Sequence, residues 1–223
     1  MTKNNTVEVK RHSVLYRLLH WAIVLEVLLL LLSGFGVSEY LHLSLFTRSA
    51  GRSLHLVLGF AWMGTITFFL YYFIVSGEYK WFGVSRIGYS IDFFMHEVKT
   101  FVAGEKVHSP VKYDAQKKRY VEKIVPTEVV AWWGWFVLWI MMVLTGLALV
   151  FPSTFDIVNR FCHAIVPSLG AQAAATRLVH IFVSIFMVIF AIIHAYASWI
   201  FGMVGSMFSG VKRENTGLPE EQQ

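Results

Sequence analysis

Apolar side chains gather in four blocks, about residues 14–37, 54–75, 129–151 and 175–203, each long enough for the roughly 20 residues that a membrane-spanning helix needs. Hydrocarbon offers no partner to a backbone N–H or C=O, so blocks of this length read as helices, whose backbone groups bond internally. The pattern predicts an all-α membrane protein: a bundle of four transmembrane helices forming a single domain over residues 1–223. The first block is longer than a signal-peptide core, and Ser33-Gly34-Phe35-Gly36 beyond it is a poor cleavage site, so it is read as a retained helix.

The connection over about residues 76–128 has a different pattern. Phe93, Phe94, Glu97 and Phe101 are spaced for a surface helix that Gly104 would end. Ser109-Pro110-Val111-Lys112-Tyr113-Asp114 predicts a turn, and the polar stretch from Arg213 to Gln223 is expected to fray. No internal repeat is present.

Composition agrees with the pattern: 56% of residues are hydrophobic and the mean hydropathy is +0.57. The net charge of +5 is unevenly placed. Lys3, Lys10, Arg11 and Arg17 cluster before or at the start of the first block, nine basic residues run from Lys80 to Lys123, and Lys212 and Arg213 follow the fourth block. The two other connections hold only Arg48 with Arg52 and Arg160 with Arg177. Basic residues stay on the cytoplasmic side, so both termini and the long amphipathic connection between helices 2 and 3 are expected in the cytoplasm. This asymmetry accounts for the charge without nucleic acid, of which there is no motif. Cys162 is the single cysteine and forms no internal disulfide. No nucleophile with a base, phosphate loop or cysteine cluster appears, so no catalytic residue is expected in this chain alone.

Of nine histidines, four fall within or at the edge of the apolar blocks: His20, His55, His180 and His194. An ionisable group in hydrocarbon is expensive and therefore a functional candidate, although a lone histidine bonding to a neighbouring helix is the plainer reading. Depth sharpens the choice. His20 starts the first helix near the cytoplasmic face and His55 opens the second near the outer face, so the two cannot share a metal. The fourth helix offers His180 near its outer end and His194 nearer its inner end. Their separation of 14 residues is about four turns, roughly 21 Å of rise, and returns to nearly the same helix face. This predicts two stacked haems, an outer one on His55 and His180 and an inner one on His20 and His194. Two imidazoles per iron leave no open position, which suits electron transfer.

Arginine precedes three of these histidines by three residues: Arg17, Arg52 and Arg177. Each stands one turn nearer the aqueous end of its helix, where a guanidinium fork suits a haem propionate, or where it simply snorkels. Gly34, 14 residues after His20, falls at the depth of the outer haem, where a flat macrocycle needs backbone without a side chain; Gly59, Gly64 and Gly146 offer the same, or close helix packing. His12, His42, His96, His108 and His163 read as surface residues, with His163 a contact for a partner subunit as the alternative. Glu26 within the first helix is a proton-path residue, a subunit contact or a protonated acid.

Several stretches together resemble the cytochrome b (gamma) subunit of membrane-bound formate dehydrogenases: Arg17-Leu-Leu-His20-Trp21, Leu32-Ser33-Gly34, Gly51-Arg52-Ser53-Leu54-His55 with Gly59, Lys112-Tyr113-Asp114-Ala115-Gln116-Lys117, and Arg177-x-x-His180 with His194-Ala195-Tyr196. The resemblance spans nearly the whole chain. It implies four helices, two b haems on the same four histidines, and a prokaryotic cytoplasmic membrane. It also implies an iron-sulfur subunit and a molybdenum or tungsten catalytic subunit as partners, in a complex that can form a higher oligomer. Electrons would pass from the outer haem to the inner one and on to menaquinone or ubiquinone, at a site lined by Lys112, Tyr113, Asp114 and Gln116 beside His194. The family's loop commonly reads Lys-Tyr-Asn-x-Gly-Gln-Lys; here Asp114 replaces the asparagine and the glycine is missing. The cytochrome b of a membrane-bound hydrogenase shares the ligand logic, and a haem-free anchor or transporter is the reading from another class.

Overall fold

The computed structural model describes residues 6–38, 47–104 and 110–216; His42, His108, Ser109 and residues 217–223 lie outside them. Among the described residues seven α-helices are formed: α1 Val14–Val37, α2 Arg48–Val75, α3 Ile87–Val102, α4 Thr127–Val150, α5 Asp156–Ile165, α6 Gln172–Ile200 and α7 Val204–Ser209. Four short strands accompany them: β1 Thr6–Lys10, β2 Lys112–Asp114, β3 Arg119–Glu122 and β4 Val211–Asn215. Helices α1, α2, α4 and α6 are long and apolar enough to cross a membrane. At most 22% of the most apolar stretch of any of them is buried within the protein, which leaves broad apolar faces for lipid.

The helix boundaries depart from the apolar blocks for local reasons. α2 begins at Arg48, six residues before the apolar run, because Arg48-Ser-Ala-Gly-Arg52-Ser is polar without being unable to coil; His55 therefore sits two turns inside the helix and does not open it. α4 begins at Thr127, after Pro126, where Glu128 Oε1 accepts the Val125 N–H at 3.1 Å and caps the first turn. α6 ends at Ile200, and Gly202 beyond it adopts the left-handed φ of 62° that glycine allows. Helix α3 follows the amphipathic reading, and Gly104 at φ 74° stops it.

Three expectations are corrected. The protein is mostly helical but carries two antiparallel two-stranded sheets, β1 with β4 and β2 with β3. Residues 112–114 form a strand and the turn follows them: Asp114 Oδ1 accepts the N–H groups of Gln116 and Lys117 at 3.0 and 2.9 Å, and Lys118 takes a left-handed φ of 49°. Residues 213–215 do not fray, because Glu8 pairs with Arg213, Val7 with Glu214 and Thr6 with Asn215.

The chain gathers into two compact units. The first collects the described residues of Met1–Arg17, Phe73–Gly134 and Ile193–Gln223; the second collects those of Leu18–Tyr72 and Trp135–Ile192. The first unit has a core of Val111, Val125 and Met203, with Phe93, Tyr120 and Phe201 against it. Phe73 stacks on Trp132 at 4.2 Å, and the Trp133 indole donates to the Phe82 carbonyl at 3.1 Å. Arg11 is buried here, donating to Glu214 Oε1 at 2.6 Å and to the Lys123 carbonyl at 2.7 Å. In the second unit, Phe69 meets Trp139 and Trp135 meets Phe190 edge to face. Helix α5, which no apolar block announced, is pinned there by Asn159: its amide donates to the Ala148 carbonyl at 3.2 Å and accepts from Thr176 at 2.6 Å.

Candidate functional site

The second unit encloses a cavity of about 970 Å³ whose walls come from α1, α2, α4 and α6. That is at the upper end of the range of small-molecule and cofactor sites. His55 of α2 and His180 of α6 both line it, with ring centroids 6.3 Å apart and planes at 80°. Two imidazoles bound on opposite sides of one metal, at roughly 2.0–2.1 Å per nitrogen, place their ring centroids about 6 Å apart. The pair therefore has the separation that one iron between them requires. Among the described residues no group of three or more His, Cys, Asp or Glu could hold a metal ion.

Each imidazole is held by a hydroxyl on a neighbouring helix. His55 Nδ1 lies 3.0 Å from Ser33 Oγ, and His180 Nδ1 lies 2.7 Å from Thr145 Oγ1. Both hydroxyls are buried. With Nδ1 so engaged, Nε2 is the nitrogen left on each ring for a ligand.

Glycines make room around the rings. A Cβ on Gly34 would lie 3.2 Å from His55 Cε1, and one on Gly146 would lie 3.6 Å from His180 Cε1. Gly59 also lines the cavity, and a Cβ there would meet nothing within 4 Å. Gly64, grouped with these in the sequence, does not line it. At the cationic part of the lining, Arg52 and Arg177 are joined by Arg48, all three exposed. Sequence spacing had a signal for Arg48, one helical turn before Arg52, but its place in a predicted loop hid it. Thr145 gave none: it differs in no visible way from any hydroxyl in an apolar helix.

A flat macrocycle with carboxylate arms fits this lining. The two imidazoles at 6.3 Å, glycines on two of the walls beside them, and three guanidinium groups would supply ligands, clearance and counter-charge to such a group.

The other predicted residues are placed as follows. His20 belongs to the second unit, half-buried and edge-on to Trp21 at 5.5 Å; His194 belongs to the first unit, with its side chain exposed. Arg17 donates through Nη1 to the Phe208 carbonyl and lies over Gly210, where a Cβ would come within 3.2 Å of its guanidinium. Lys112, Tyr113 and Asp114 are half-buried on β2 and Gln116 is exposed in the turn, all in the first unit with His194. Tyr113 rests edge-on against Tyr120 at 5.1 Å. Burial pushes the Tyr120 phenol up to about 12, against the opposing pull of Arg11. Glu26 accepts from Thr65 Oγ1 at 2.9 Å within the second unit. Burial pushes the Cys162 thiol up, which leaves it a packing residue and no nucleophile.

A comparison with curated proteins finds none that matches. The family model described as prokaryotic cytochrome b561 matches residues 11–210, a stretch that holds all four span-associated histidines and the whole cavity lining. With the match covering most of its length, the chain belongs to the prokaryotic cytochrome b561 family and is a membrane protein that binds haem b and transfers electrons.

Proposed function

We propose that this chain is the di-haem cytochrome b subunit of a membrane-bound formate dehydrogenase complex. The observation that carries the reading is the His55–His180 pair, 6.3 Å apart in a cavity whose lining includes glycine and arginine. A haem bound there supplies one-electron transfer without an open coordination position. His55 and His180 would hold its iron, and Arg52, Arg177 and Arg48 would receive its propionates. His20 and His194 hold the second haem, with α6 serving both. This choice is supported by the 14-residue spacing from His180 to His194.

The distribution of Lys and Arg supports cytoplasmic termini, so electrons from an iron-sulfur subunit and a molybdenum or tungsten subunit enter beside His55 and His180. They leave to a membrane quinone beside His194. Lys112, Tyr113 and Gln116 face that exchange. Asp114 uses Oδ1 to hold the β2–β3 turn, and its Oδ2 lies 3.9 Å from Lys117 Nζ, so carboxylate and ammonium stand together beside that exchange.

Haem content of single variants tests the ligand assignment. His55→Ala and His180→Ala should each lose the same one of two haems, and His20→Ala and His194→Ala the other, read from reduced-minus-oxidised spectra. Retention of both haems in His180→Ala would overturn it. The partner assignment predicts that the complex purified from its own membranes reduces the haems with formate. Reduction by hydrogen and not by formate would assign the chain to a hydrogenase instead.

A further inference from the structure

We propose that Ser33 and Thr145 are positioning residues that fix the tautomer of the two imidazoles and lower the reduction potential of the haem between them. The proposal rests on His55 and His180 being that haem's axial ligands, as argued above.

A hydroxyl has one hydrogen to give and two lone pairs to receive. Ser33 Oγ lies 3.1 Å from the Leu30 carbonyl, and Thr145 Oγ1 lies 2.7 Å from the Met141 carbonyl and 3.3 Å from that of Met142. A carbonyl can only accept, so each hydroxyl hydrogen points back along its own helix. The lone pair left on each oxygen faces His55 Nδ1 at 3.0 Å and His180 Nδ1 at 2.7 Å. Both imidazoles therefore carry their hydrogen on Nδ1 and present a bare Nε2, the nitrogen free to bind iron.

Two helices repeat the same three-part chain: backbone carbonyl, hydroxyl, imidazole. Ser33 is fully buried and Thr145 nearly so. An acceptor on Nδ1–H makes the opposite nitrogen more basic, and a more basic axial ligand favours the oxidised iron. The hydroxyl that accepts from the ring while donating to a carbonyl is polarised in the direction that strengthens this effect. Ser33 adjoins Gly34, so one turn of α1 supplies both the hydrogen bond and the clearance for His55.

Potentiometric titration of the full-length, haem-loaded protein tests this with Ser33→Ala, Thr145→Val and Thr145→Ser. The expected result is a positive shift of one midpoint potential in Ser33→Ala and in Thr145→Val, larger in the double variant, with the other haem unmoved. Thr145→Ser should restore the wild-type value and the wild-type low-spin electron paramagnetic resonance spectrum. Haem loss in Thr145→Val that Thr145→Ser repairs also supports the proposal. Full haem retention with unshifted midpoints would overturn it, as would a Thr145→Ser shift equal to that of Thr145→Val, which would mark a packing effect. Failure of the ligand assignment is distinguishable, since His180→Ala would then keep both haems.

Discussion

Gly34 and Gly146 look interchangeable in the sequence, yet the space beside them differs. A methyl group on Gly34 would press to 3.2 Å from His55 Cε1, inside ordinary contact, while one on Gly146 would meet His180 at a normal 3.6 Å. Overpacking of this kind costs about 1–3 kcal/mol where the neighbour is held, and His55 is held by Ser33. Gly34→Ala should therefore weaken retention of one haem, and Gly146→Ala should leave it close to wild type, as read from haem per protein after purification. At this scale the sequence disclosed the chemistry and hid the support. Histidine in an apolar block is conspicuous because few residues there can ionise. Ser33 and Thr145 are inconspicuous because hydroxyls bonded to their own helix are common in such segments.

Elements were legible to the degree that hydrocarbon dictated them. The four spans stand where the apolar blocks stand, since an unpaired backbone in lipid is too costly for any other structure. Their ends were less legible, because Arg48 to Ser53 coil without being apolar. Helix α5 was missed for the converse reason: its ten residues alternate exposed Ile157, Phe161 and Ile165 with buried Asn159 and Cys162, a pattern too short to stand out between two spans. The β2–β3 hairpin escaped because Lys118 fills the left-handed turn position where glycine is the usual signal. Tyr120 of β3 yields a pH prediction. Its phenol ionises ordinarily at 10.0 and in the folded protein at about 12, so folding favours the neutral form. That contribution is complete below pH 10 and is lost as pH rises through 12. Tyr120→Phe should lack the last-developing phenolate absorbance and should show a shallower loss of stability across that window.

In the whole molecule a buried ion pair joins Arg11, which follows β1, to Glu214 of β4. Arg11 and Glu214 meet at 2.6 Å with side chains 2% and 4% exposed, and Lys212 stands 3.7 Å from the same carboxylate. Removing either partner strands a buried charge, so Arg11→Ala or Glu214→Ala should cost about 3–5 kcal/mol in detergent unfolding. Arg11→Met with Glu214→Leu should recover most of that loss, since apolar replacement of both is near neutral. Neither member was visible as a pair in the sequence, 203 positions apart and each surrounded by other charges.

The β1–β4 ribbon also bears on how the protein is made. Thr6–Lys10 precedes the first span in the chain, yet its partner Val211–Asn215 is synthesised after all four spans. While the spans are being made that strand has an open edge, which closes only once residues 211–215 have followed the last span. Protection of residues 6–10 from protease is thus a timestamp for completed insertion, and a nascent chain stalled before residue 211 should be clipped there.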